Sequence, residues 1–536
     1  MLPIIPNPAE CRELDGNFLL TENTEINFDP VFLAVRPFFD SFLADALSNP
    51  GSFSQDGDCK TITFSLDTSI VSEGYKILCY PDSLTVLAKE PSGAFYAVQT
   101  LRQLTIDTPL LPCFEINDYP AYSFRGLALD EARHFFGMEE VKRRLDLMAL
   151  HKLNVFHWHL TDDQGWRIEI KQYPMLTKIG SYREDTNIHG WKSTDREGKP
   201  HSGFYTQEQI KEIVDYAAKR FITVIPEFDM PAHFMAAIAS YPWLACREIP
   251  TEVPWYFGGL VPESQGITDW NRTACAGKQS TFDFIFDVLE EMLELFPSKL
   301  FHIGGDEAPR GEWKICPLCQ KVIRENHLKD EEELQGWFNN KVKAWADQKG
   351  LRLIGWNEIL TAENLGRDII AQYWTPGIDQ NIVRHLSEGG EIIISCHEAF
   401  YFDMCYADVP LESTYHFTPA DYHIPEEYYP QIIGIEGEVW TEWISDREKL
   451  DVTSFPRVEA LSEAVWTPKD RRNFDDFMLR LHHFEKLLDK LGVGYADDSI
   501  ALKRADKAQA EKEIEEWQLR DQYIDVKNNR KIKSKN

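Results

Sequence analysis

Two acidic residues, Asp306 and Glu307, stand side by side in the stretch HIGGDEAPR, directly behind the glycine pair Gly304 and Gly305. The apolar residues before this stretch predict a buried strand that ends here. Neighbouring side chains of a regular strand point to opposite faces, so both carboxylates can face one pocket only where the strand stops. The two glycines permit that break and allow close approach to a ligand. The pair indicates acid–base chemistry, and a solvated loop is the alternative interpretation.

Polar and aromatic side chains follow the carboxyl end of nearly every other predicted strand. In a barrel of parallel strands these ends converge on one face, so residues far apart in sequence share one pocket. Carboxylates and arginine bind sugar hydroxyls through charge-assisted hydrogen bonds, and tryptophan faces stack on the C–H face of a pyranose. The set therefore predicts a sugar site. Its members are Asp130, Arg133, Asp162, Asp163, Glu227, Asp229, His233, Trp356, Glu358, Trp374, Tyr401, Asp403, Trp440 and Glu442.

Short apolar runs alternate with longer amphipathic stretches after Asp118-Tyr119-Pro120, which is the pattern of βα units and a parallel sheet. Eight such runs predict a closed (β/α)8 TIM barrel of the α/β class. A capping box that begins at Thr206 supports one of the intervening helices. The eight predicted strands are 124–130, 153–160, 221–229, 300–307, 351–358, 369–374, 391–396 and 432–440.

The chain divides into three predicted parts. Residues 1–117 mix strand-like runs such as TITFSL with helical ones such as GAFYAVQTLRQL, which predicts a small accessory α+β domain. The barrel occupies 118–466, and 467–536 is predicted to be a charged helical extension whose last ten residues form a frayed tail. Two connections, 164–205 and 231–280, are too long for simple βα loops, and we expect them to build the substrate pocket.

The composition limits the partners of the protein. Asp and Glu total 87 against 56 Lys and Arg, and the net charge of −31 repels phosphate backbones and anionic membranes. We therefore expect no nucleic-acid binding and no membrane insertion. The start of the chain lacks the pattern of a signal peptide, and no run of 18 apolar residues occurs. A cytoplasmic protein is expected, although a signal could precede the sequence.

Ten cysteines are scattered along the chain, several of them inside apolar runs such as KILCY and IIISC. A free cysteine in such a run behaves as a small hydrophobic residue, which favours a reducing compartment. Cys316 and Cys319 form a CxxC, but no second CxxC or HxxxH completes four ligands, so we expect no zinc site there. No metal or organic cofactor is predicted.

The residues alone leave the nucleophile of the sugar site unnamed. Most retaining glycosidases place two carboxyl groups about 5 to 5.5 Å apart across the scissile bond, drawn from different strands. Adjacent residues such as Asp306 and Glu307 are poorly placed for this arrangement. A two-carboxylate enzyme that pairs Glu307 with Glu358 or Glu442 therefore stays open as an alternative.

Two further alternatives come from other protein classes. His157 and His159 lie two apart on a predicted strand and would present both imidazoles on one face, in the manner of metallohydrolase ligands. Such a site needs further histidines and usually a lysine at later strand ends, which carry tryptophans and acids instead. A sugar-binding protein without catalysis has no need for Asp306 and Glu307 together.

Seven motifs, in order, resemble those of glycoside hydrolase family 20, the β-N-acetylhexosaminidases of bacterial type. The resemblance spans roughly 120–470, and residues 1–117 look like the accessory α+β domain of the family. The motifs are RGLALDEARHFF (125–136), KLNVFHWHLTDDQGWRIEI (152–170), PEFDMPAH (226–233), HIGGDE (302–307), GWNE (355–358), YFD (401–403) and EVWTEW (438–443).

The resemblance implies a nucleophile that the protein does not supply. In this family the 2-acetamido oxygen of the substrate attacks the anomeric carbon and forms an oxazolinium-like intermediate, an exception to the two-carboxylate rule. By motif, Glu307 is then the general acid and later the base that activates water. Asp306 orients and stabilises the acetamido group, and Tyr401 hydrogen-bonds its oxygen.

The same matching implies a set of substrate-binding residues. Arg133 and Glu442 would bind the hydroxyls of the non-reducing end, with Asp403 at the rim. Asp162 and His233 would form a supporting pair that tunes the protonation of the general acid. The acetamido group and the sugar face would be enclosed by three tryptophans, Trp356, Trp374 and Trp440.

The implied activity is exo-acting removal of terminal β-linked GlcNAc or GalNAc with retained configuration, and the implied partner is a carbohydrate. We expect Arg125 and His302 to be structural. Side-chain identities do not distinguish GlcNAc from GalNAc, and they do not define the aglycone, which could be a chitooligosaccharide, an N-glycan, a glycolipid or a peptidoglycan fragment. The sequence does not indicate the oligomeric state.

Overall fold

The computed structural model describes residues 2–48, 60–188, 195–257, 272–377 and 379–502. Part of the long connection 231–280 and the predicted frayed tail, 527–536, lie outside these ranges. Among the described residues we find no helix with the length and hydropathy that a membrane span requires.

The amino-terminal domain consists of a mixed sheet and helices that pack on it. Its elements are β1 (Glu10–Leu19), β2 (Glu25–Phe28), α1 (Arg36–Leu47), β3 (Thr61–Leu66), β4 (Tyr75–Cys79), β5 (Ser83–Ala88), α2 (Pro91–Leu104) and β6 (Leu110–Asp118). The six strands pair in the order β1-β6-β4-β5-β3-β2. Burial alternates along β3, β4 and β5, as expected for a sheet with one covered face. The predicted α+β character of this region is confirmed.

The first half of the barrel contains four barrel strands and two extended connections. Its elements are β7 (Phe124–Asp130), α3 (Met138–Leu150), β8 (Val155–His159), β9 (Thr161–Asp162), β10 (Gly165–Trp166), α4 (Met175–Lys178), β11 (Tyr182–Arg183), β12 (His201–Ser202), α5 (Gln207–Ala218), β13 (Thr223–Glu227), α6 (Met235–Ser240), α7 (Gln279–Leu293) and β14 (Leu300–His302). The predicted capping box is present, since the Thr206 side chain accepts from the Gln209 amide and the Gln209 side chain accepts from the Thr206 amide. Most of the excess length lies in the two connections that were predicted to be long.

The second half continues the βα pattern, and a helical extension follows it. Its elements are α8 (Gly311–Ile315), α9 (Pro317–Glu325), α10 (Glu331–Gln348), β15 (Arg352–Trp356), β16 (Ile370–Tyr373), α11 (Asp379–Ser387), β17 (Ile392–Ile394), α12 (His397–Phe400), α13 (Leu411–His416), β18 (Ile432–Gly437), α14 (Arg447–Ser454), α15 (Arg457–Trp466), α16 (Phe474–Leu491) and α17 (Asp498–Ala501). Short 3-10 helices lie at Pro30–Phe32, Pro242–Leu244, Asn357–Thr361, Pro419–Tyr422, Glu426–Gln431 and Lys469–Arg471.

Eight parallel strands close the barrel in the order β13-β14-β15-β16-β17-β18-β7-β8. Each predicted strand is present, so the (β/α)8 prediction is confirmed, but the observed strands are shorter. The largest difference is at 300–307, where β14 ends at His302 because Gly304 and Gly305 have φ angles of 64° and 99°, outside the extended region. The strand therefore breaks before the acidic pair, as the glycines indicated.

The interior of the barrel is built in layers. The lowest layer is apolar and contains Phe124, Val155, Ile225, Ile354, Ile370 and Ile393. Because side chains alternate along a strand, residues two positions further on point inward in the next layer. That layer is polar and contains His157, Glu227, Trp356 and Gln372. The change from apolar to polar occurs towards the carboxyl ends of the strands, where the candidate site lies.

The amino end of the barrel is closed by what we call the floor network: Arg125, Lys152, Glu73 and Asp118. The Arg125 guanidinium donates to both Glu73 oxygens at 2.7 and 2.9 Å. The Lys152 ammonium lies 3.0 Å from Asp118 Oδ2, and both side chains are fully buried. These pairs join the barrel to the amino-terminal domain, which supports the expected structural role of Arg125.

The connections after the third and fourth barrel strands pack together and correct one prediction. We expected Cys316 and Cys319 to lack two further ligands. This was wrong, because Cys246 and Cys275 lie beside them, with the four sulfur atoms within 4.8 Å of one another. Cys79 and Cys396 are buried free thiols, in agreement with the expectation for cysteines in apolar runs.

Candidate active site

The acidic pair lies in a backbone turn that only particular residues permit. Glu307 itself has a φ of 46°, following the positive φ angles of the two glycines. A Cβ on Gly304 would lie 1.7 Å from Asp229 Oδ1, and the Gly305 amide donates to that same oxygen at 3.1 Å. The turn leaves the Asp306 side chain 16% exposed and the Glu307 side chain 56% exposed. Two neighbouring carboxylates therefore have different environments.

His233 connects the acidic pair to a buried carboxylate. Its Nδ1 lies 3.1 Å from Asp162 Oδ1, and its Nε2 lies 3.4 Å from Asp306 Oδ2 and 3.7 Å from Glu307 Oε2. Burial opposes protonation of His233, but Asp162, Asp306 and Asp229 outweigh burial and raise its pKa well above the usual value. A cationic imidazole thus stands beside both carboxylates.

Two buried aspartates around His233 have pKa values shifted in opposite directions. Burial raises the pKa of Asp162, but Arg133 and His233 outweigh it and hold that pKa well below the usual range. Burial, and then the neighbouring Asp306, raise the pKa of Asp229 well above its usual value. Asp162 is therefore charged at neutral pH, whereas its surroundings favour the protonated form of Asp229.

Arg133 occupies the side of the pocket formed by the ends of β7 and β18. Its guanidinium donates to Asp130 Oδ2 at 3.2 Å, and it lies 2.9 Å from Asp162 Oδ2 and 3.8 Å from Glu442 Oε1. The same guanidinium lies 5.1 Å from the ring centroid of Trp440. The arrangement presents a cation, a carboxylate and an indole at one end of the pocket.

Aromatic rings form a wall of the site near Asp306. Trp374 and Tyr401 are stacked with centroids 5.8 Å apart, and Tyr401 lies 6.2 Å from Trp440. Burial, followed by Glu438, raises the pKa of Tyr401 well above its usual value, so its phenol remains a hydrogen-bond donor. Trp356 lies deeper, is 1% exposed, and donates to Glu227 at 2.9 Å.

Three further carboxyl groups near the pocket have raised pKa values. Burial, and then Asp306, raise the pKa of Glu358 to about 8, although its Oε2 accepts from the Trp374 indole at 2.7 Å. Burial, followed by Glu442, raises the pKa of Asp403 well above its usual value. Burial also raises the pKa of Glu442, against the effect of Arg133.

His157 and His159 both point into the barrel, as the alternation predicted, and their nitrogens face carboxylates. His157 Nδ1 lies 2.8 Å from Glu436, and its Nε2 lies 3.1 Å from Glu227. His159 contacts Glu227 through Nδ1 and Asp162 through Nε2, the latter at 2.9 Å. His157 belongs to groups that could hold a metal ion by spacing, but both nitrogens of His157 and both of His159 already lie beside an acid. The arrangement fits a buried ion-pair network that supports Asp162 from below.

Glu227, which the strand-end pattern predicted as part of the site, and Arg272, which no pattern marked, complete the surroundings of the site. Glu227 accepts from Trp356 and lies 2.9 Å from His302 Nδ1, so it is the centre of the polar layer under the pocket. Arg272 lies 3.0 Å from Asp163 Oδ2. Burial opposes ionisation of Arg272, but Asp163 and then Glu307 outweigh it and raise its pKa. An arginine in a long loop has no sequence pattern that marks it.

Two comparisons with protein families cover nearly the whole described chain. Residues 122–469 match the catalytic domain of glycosyl hydrolase family 20, and residues 1–119 match domain 2 of the same family. The chain belongs to glycosyl hydrolase family 20. The resemblance drawn from the seven motifs is confirmed, and so is the assignment to the glycoside hydrolases.

Relatives in family 20 share most of the chain. A beta-hexosaminidase of Porphyromonas gingivalis is 38% identical over 520 residues, which is 92% of this chain and 64% of the relative. This chain thus spans less than two thirds of that relative. A beta-N-acetylhexosaminidase of Cellulomonas fimi is 30% identical over 512 residues, covering 91% of this chain and 95% of the relative.

Solved structures of family 20 have the same fold. The exo beta-N-acetylglucosaminidase of Vibrio harveyi in complex with N-acetylglucosamine superposes with a TM-score of 0.80 at 31% identity, covering 92% of this chain and 78% of that one. The beta-N-acetylhexosaminidase of Bacteroides fragilis gives a TM-score of 0.76 at 30% identity, covering 92% of this chain and 96% of that one.

The structure brings the predicted site residues of this family 20 chain to the carboxyl end of the barrel. Ten of them line or border the pocket directly, whereas Trp356 lies beneath its aromatic wall. These ten are Arg133, Asp162, His233, Asp306, Glu307, Trp374, Tyr401, Asp403, Trp440 and Glu442.

Proposed function

We propose that the protein is an exo-acting, retaining β-N-acetylhexosaminidase that removes terminal β-linked GlcNAc or GalNAc by substrate-assisted catalysis. The observation that carries this proposal is the pairing of Asp306 and Glu307 around His233, together with the stacked rings of Trp374 and Tyr401, the second of which is close enough for Asp306 to affect its pKa. The names of the relatives, beta-hexosaminidase and beta-N-acetylhexosaminidase, support the same substrate class.

The proposal gives the two adjacent carboxyl groups different tasks. Glu307 is the more exposed of the two and can reach the glycosidic oxygen, which it protonates before it activates water as a base. Asp306 has a buried oxygen, Oδ1, that makes no hydrogen bond to any described residue. That oxygen can accept the acetamido N–H and stabilise the positive charge that develops on the group. Glu307 then transfers protons, and Asp306 stabilises the developing positive charge.

Tyr401 holds the nucleophile in this proposal. Its raised pKa keeps the phenol protonated, so it can donate a hydrogen bond to the acetamido oxygen. The stacked Trp374 and the nearby Trp440 present faces on which the acetamido methyl and the sugar can pack. Attack by an oxygen already held close to the anomeric carbon needs little further ordering.

The alternative of a two-carboxylate enzyme has less support. A carboxylate nucleophile must be ionised, whereas Glu358 has a pKa of about 8 and accepts a hydrogen bond from Trp374. Glu442 also has a raised pKa and stands beside Arg133, at the far end of the pocket from the acidic pair. Neither group has the environment that a nucleophile at neutral pH requires.

The exo mode follows from the charged end of the pocket. Arg133 and Glu442, together with Asp403, can bind the hydroxyls of a terminal sugar through charge-assisted hydrogen bonds. Asp162 and Arg133 are within 2.9 Å of each other and fill the space behind this end. A further sugar on that side would have to displace buried ion pairs, which favours binding of the chain terminus.

The test is hydrolysis of the p-nitrophenyl β-glycosides of GlcNAc, GalNAc and glucose. We expect cleavage of the two acetamido sugars and none of the glucoside, because glucose lacks the nucleophile. NMR should show the β anomer as the first product. Efficient cleavage of the glucoside would move the nucleophile onto the protein and overturn the proposal.

Glu307→Gln tests the assignment of the acid. Loss of general acid–base catalysis should reduce kcat about 10² to 10⁴-fold, and the loss should be greater with a phenyl than with a p-nitrophenyl leaving group. Glu363→Gln is the matched control, since Glu363 is similarly exposed and pairs with Lys329 on the surface. Equal losses with both leaving groups would contradict the role of Glu307.

A further inference from the structure

Four cysteines from two separate connections converge outside the sugar pocket. Cys246 and Cys275 belong to the connection between β13 and α7, and Cys316 and Cys319 lie at the start of α9. Cys275, Cys316 and Cys319 are buried, and Cys246 is partly buried. The substrate pocket uses none of them.

The separations between the sulfur atoms match those of a metal site. Cys275 Sγ lies 3.7 Å from Cys319 Sγ and 3.9 Å from Cys316 Sγ, and Cys246 Sγ lies 3.9 Å from Cys319 Sγ. A tetrahedral Zn²⁺ with Zn–S bonds of about 2.3 Å places its sulfurs roughly 3.8 Å apart. A disulfide requires about 2.05 Å. The four thiols therefore have the spacing of zinc ligands and lack that of disulfides.

The backbone around the cysteines is packed tightly enough to hold this spacing. A Cβ on Gly277 would lie 2.4 Å from the Leu318 carbonyl carbon and 2.5 Å from the Cys319 nitrogen, so the two connections meet backbone to backbone. The Cys275 amide donates to Leu244 O at 2.8 Å. The Trp313 indole donates to Ala274 O at 3.0 Å. Each ligand segment is thus fixed by contacts independent of sulfur.

A cation lies next to the segments that carry two of the cysteines. Zn²⁺ with four thiolates is an anion overall, and an anion at a partly buried position is favoured by positive charge nearby. The Lys278 ammonium donates to Trp243 O and Ala245 O at 2.9 and 2.6 Å, and it also pairs with Glu248 Oε1 at 2.8 Å. These contacts hold it three residues from Cys275 and next to the segment that carries Cys246.

We propose that Cys246, Cys275, Cys316 and Cys319 bind one Zn²⁺ ion as a structural site. Four cysteine ligands leave no open position for substrate or water, so the ion has no part in the reaction. The site joins the connection that carries His233 and Arg272 to the one that carries Asp306 and Glu307. Thr273 and Pro309, which share a hydrogen bond of 3.0 Å, connect the same two segments closer to the pocket.

The first measurement is the metal content of the full-length protein. The protein is purified without metal-affinity steps from cells supplied with zinc, dialysed against EDTA and analysed by inductively coupled plasma mass spectrometry. We expect one zinc per chain, which a mercurial that binds thiolates should release. Protein loaded with Co²⁺ should show the intense visible bands and the thiolate charge-transfer band of a tetrahedral tetrathiolate centre.

Variants locate the site on the chain. Cys316→Ser should lower bound zinc at least tenfold and lower the unfolding midpoint. Cys396→Ser is the matched control, because Cys396 is a buried free thiol that lies between β17 and α12, outside the cluster. It should retain one zinc per chain. Zinc loss in both variants would contradict the assignment.

The unaltered protein also provides the result that would overturn the proposal. If it carries no zinc while all four thiols react with a thiol reagent in the native state, the cluster is only a group of packed thiols. If mass spectrometry finds a disulfide among the four, the cluster is a redox pair. Neither result depends on a variant that folds, and neither depends on glycosidase activity.

Discussion

The amino end and the carboxyl end of the barrel both bury charged side chains. The two groups differ in whether the protein itself supplies all of their hydrogen-bond and ion-pair partners. In the floor network, Arg125 donates to Glu73, to the Tyr96 hydroxyl and to the carbonyl oxygens of Tyr122 and Lys152. Every partner belongs to the protein. Such a network is complete before any ligand arrives, as expected at the stabilising face of a barrel.

At the carboxyl end, Arg133, Asp162, His233, Asp306 and Glu307 form what we call the mouth network. It includes an oxygen, Asp306 Oδ1, without a hydrogen bond among the described residues, and acids with raised pKa values surround it. Charges held in this way lower stability unless a ligand completes them. The same types of charged residue therefore stabilise the fold at the amino end of the barrel and are available to bind substrate at the carboxyl end.

The largest effect is expected at the floor. Lys152→Met leaves Asp118 buried without its cation, and breaking a fully buried pair costs about 3 to 5 kcal/mol of unfolding free energy. The activity of the molecules that remain folded should be unchanged. Denaturant unfolding measures the loss, and Lys486→Met, which breaks the exposed pair with Asp107, is the control that should leave stability nearly unchanged. An unaffected unfolding free energy in Lys152→Met would remove the distinction between the two ends.

In the mouth network we expect the opposite result, a large loss of activity with little change in stability. Asp306→Asn removes the charge that stabilises the acetamido group, and loss of such an electrostatic contact typically reduces kcat about 10² to 10³-fold. Stability should change little, because the contact with His233 that is lost is offset by the lower cost of burying an uncharged amide in place of a carboxylate. The comparison would fail if Asp306→Asn unfolded the protein as readily as Lys152→Met does.

A smaller effect should follow from His233→Gln. The substitution removes an imidazole that lies 3.4 Å from Asp306 Oδ2 and 3.7 Å from Glu307 Oε2, and whose pKa, against the effect of burial, is raised well above its usual value by Asp162 and Asp306. The alkaline limb of the pH profile of kcat/KM that comes from deprotonation of His233 should therefore be lost. We expect kcat to fall roughly tenfold, less than the 10²-fold that a misplaced catalytic group can cost. An unshifted profile at reduced kcat would mean that His233 acts only through packing.

The smallest effect concerns the pH dependence of stability. The folded-state pKa of Glu358 is raised to about 8, so the folded protein binds this proton more tightly than the unfolded chain. The resulting stability is present below about pH 4.3 and is lost as the pH rises towards 8. Glu358→Gln should reduce this loss. The difference in unfolding midpoint, variant minus unaltered protein, should therefore become more positive from pH 5 to pH 8.

Glu358→Gln also tests the two-carboxylate alternative. The substitution keeps a hydrogen-bond acceptor for Trp374 and should retain most of the activity on the GlcNAc substrate. Loss of activity comparable to that of Glu307→Gln would instead assign Glu358 a direct part in catalysis.

Much of the barrel was predictable because its signals are local. The apolar runs located eight strands, and the glycine pair located the break before Asp306. The strand ends were less accurate: three of the first four residues of 300–307 are apolar, but the positive φ angles of the glycines already end the strand at His302. Arg272 was not predicted, because its importance comes from Asp163, a neighbour distant in sequence.

Short stretches of sequence are enough to reveal three features: the alternation of side chains that layers the barrel, the acidic pair, and the motifs that mark family 20. The tertiary fold sets which charges meet, which acids have raised pKa values, and that four cysteines lie together. Cys246 and Cys319 are 73 residues apart along the chain, so their contact depends on how two long connections pack. Raised pKa values such as that of Glu358 likewise depend on burial by distant residues, which no local pattern encodes.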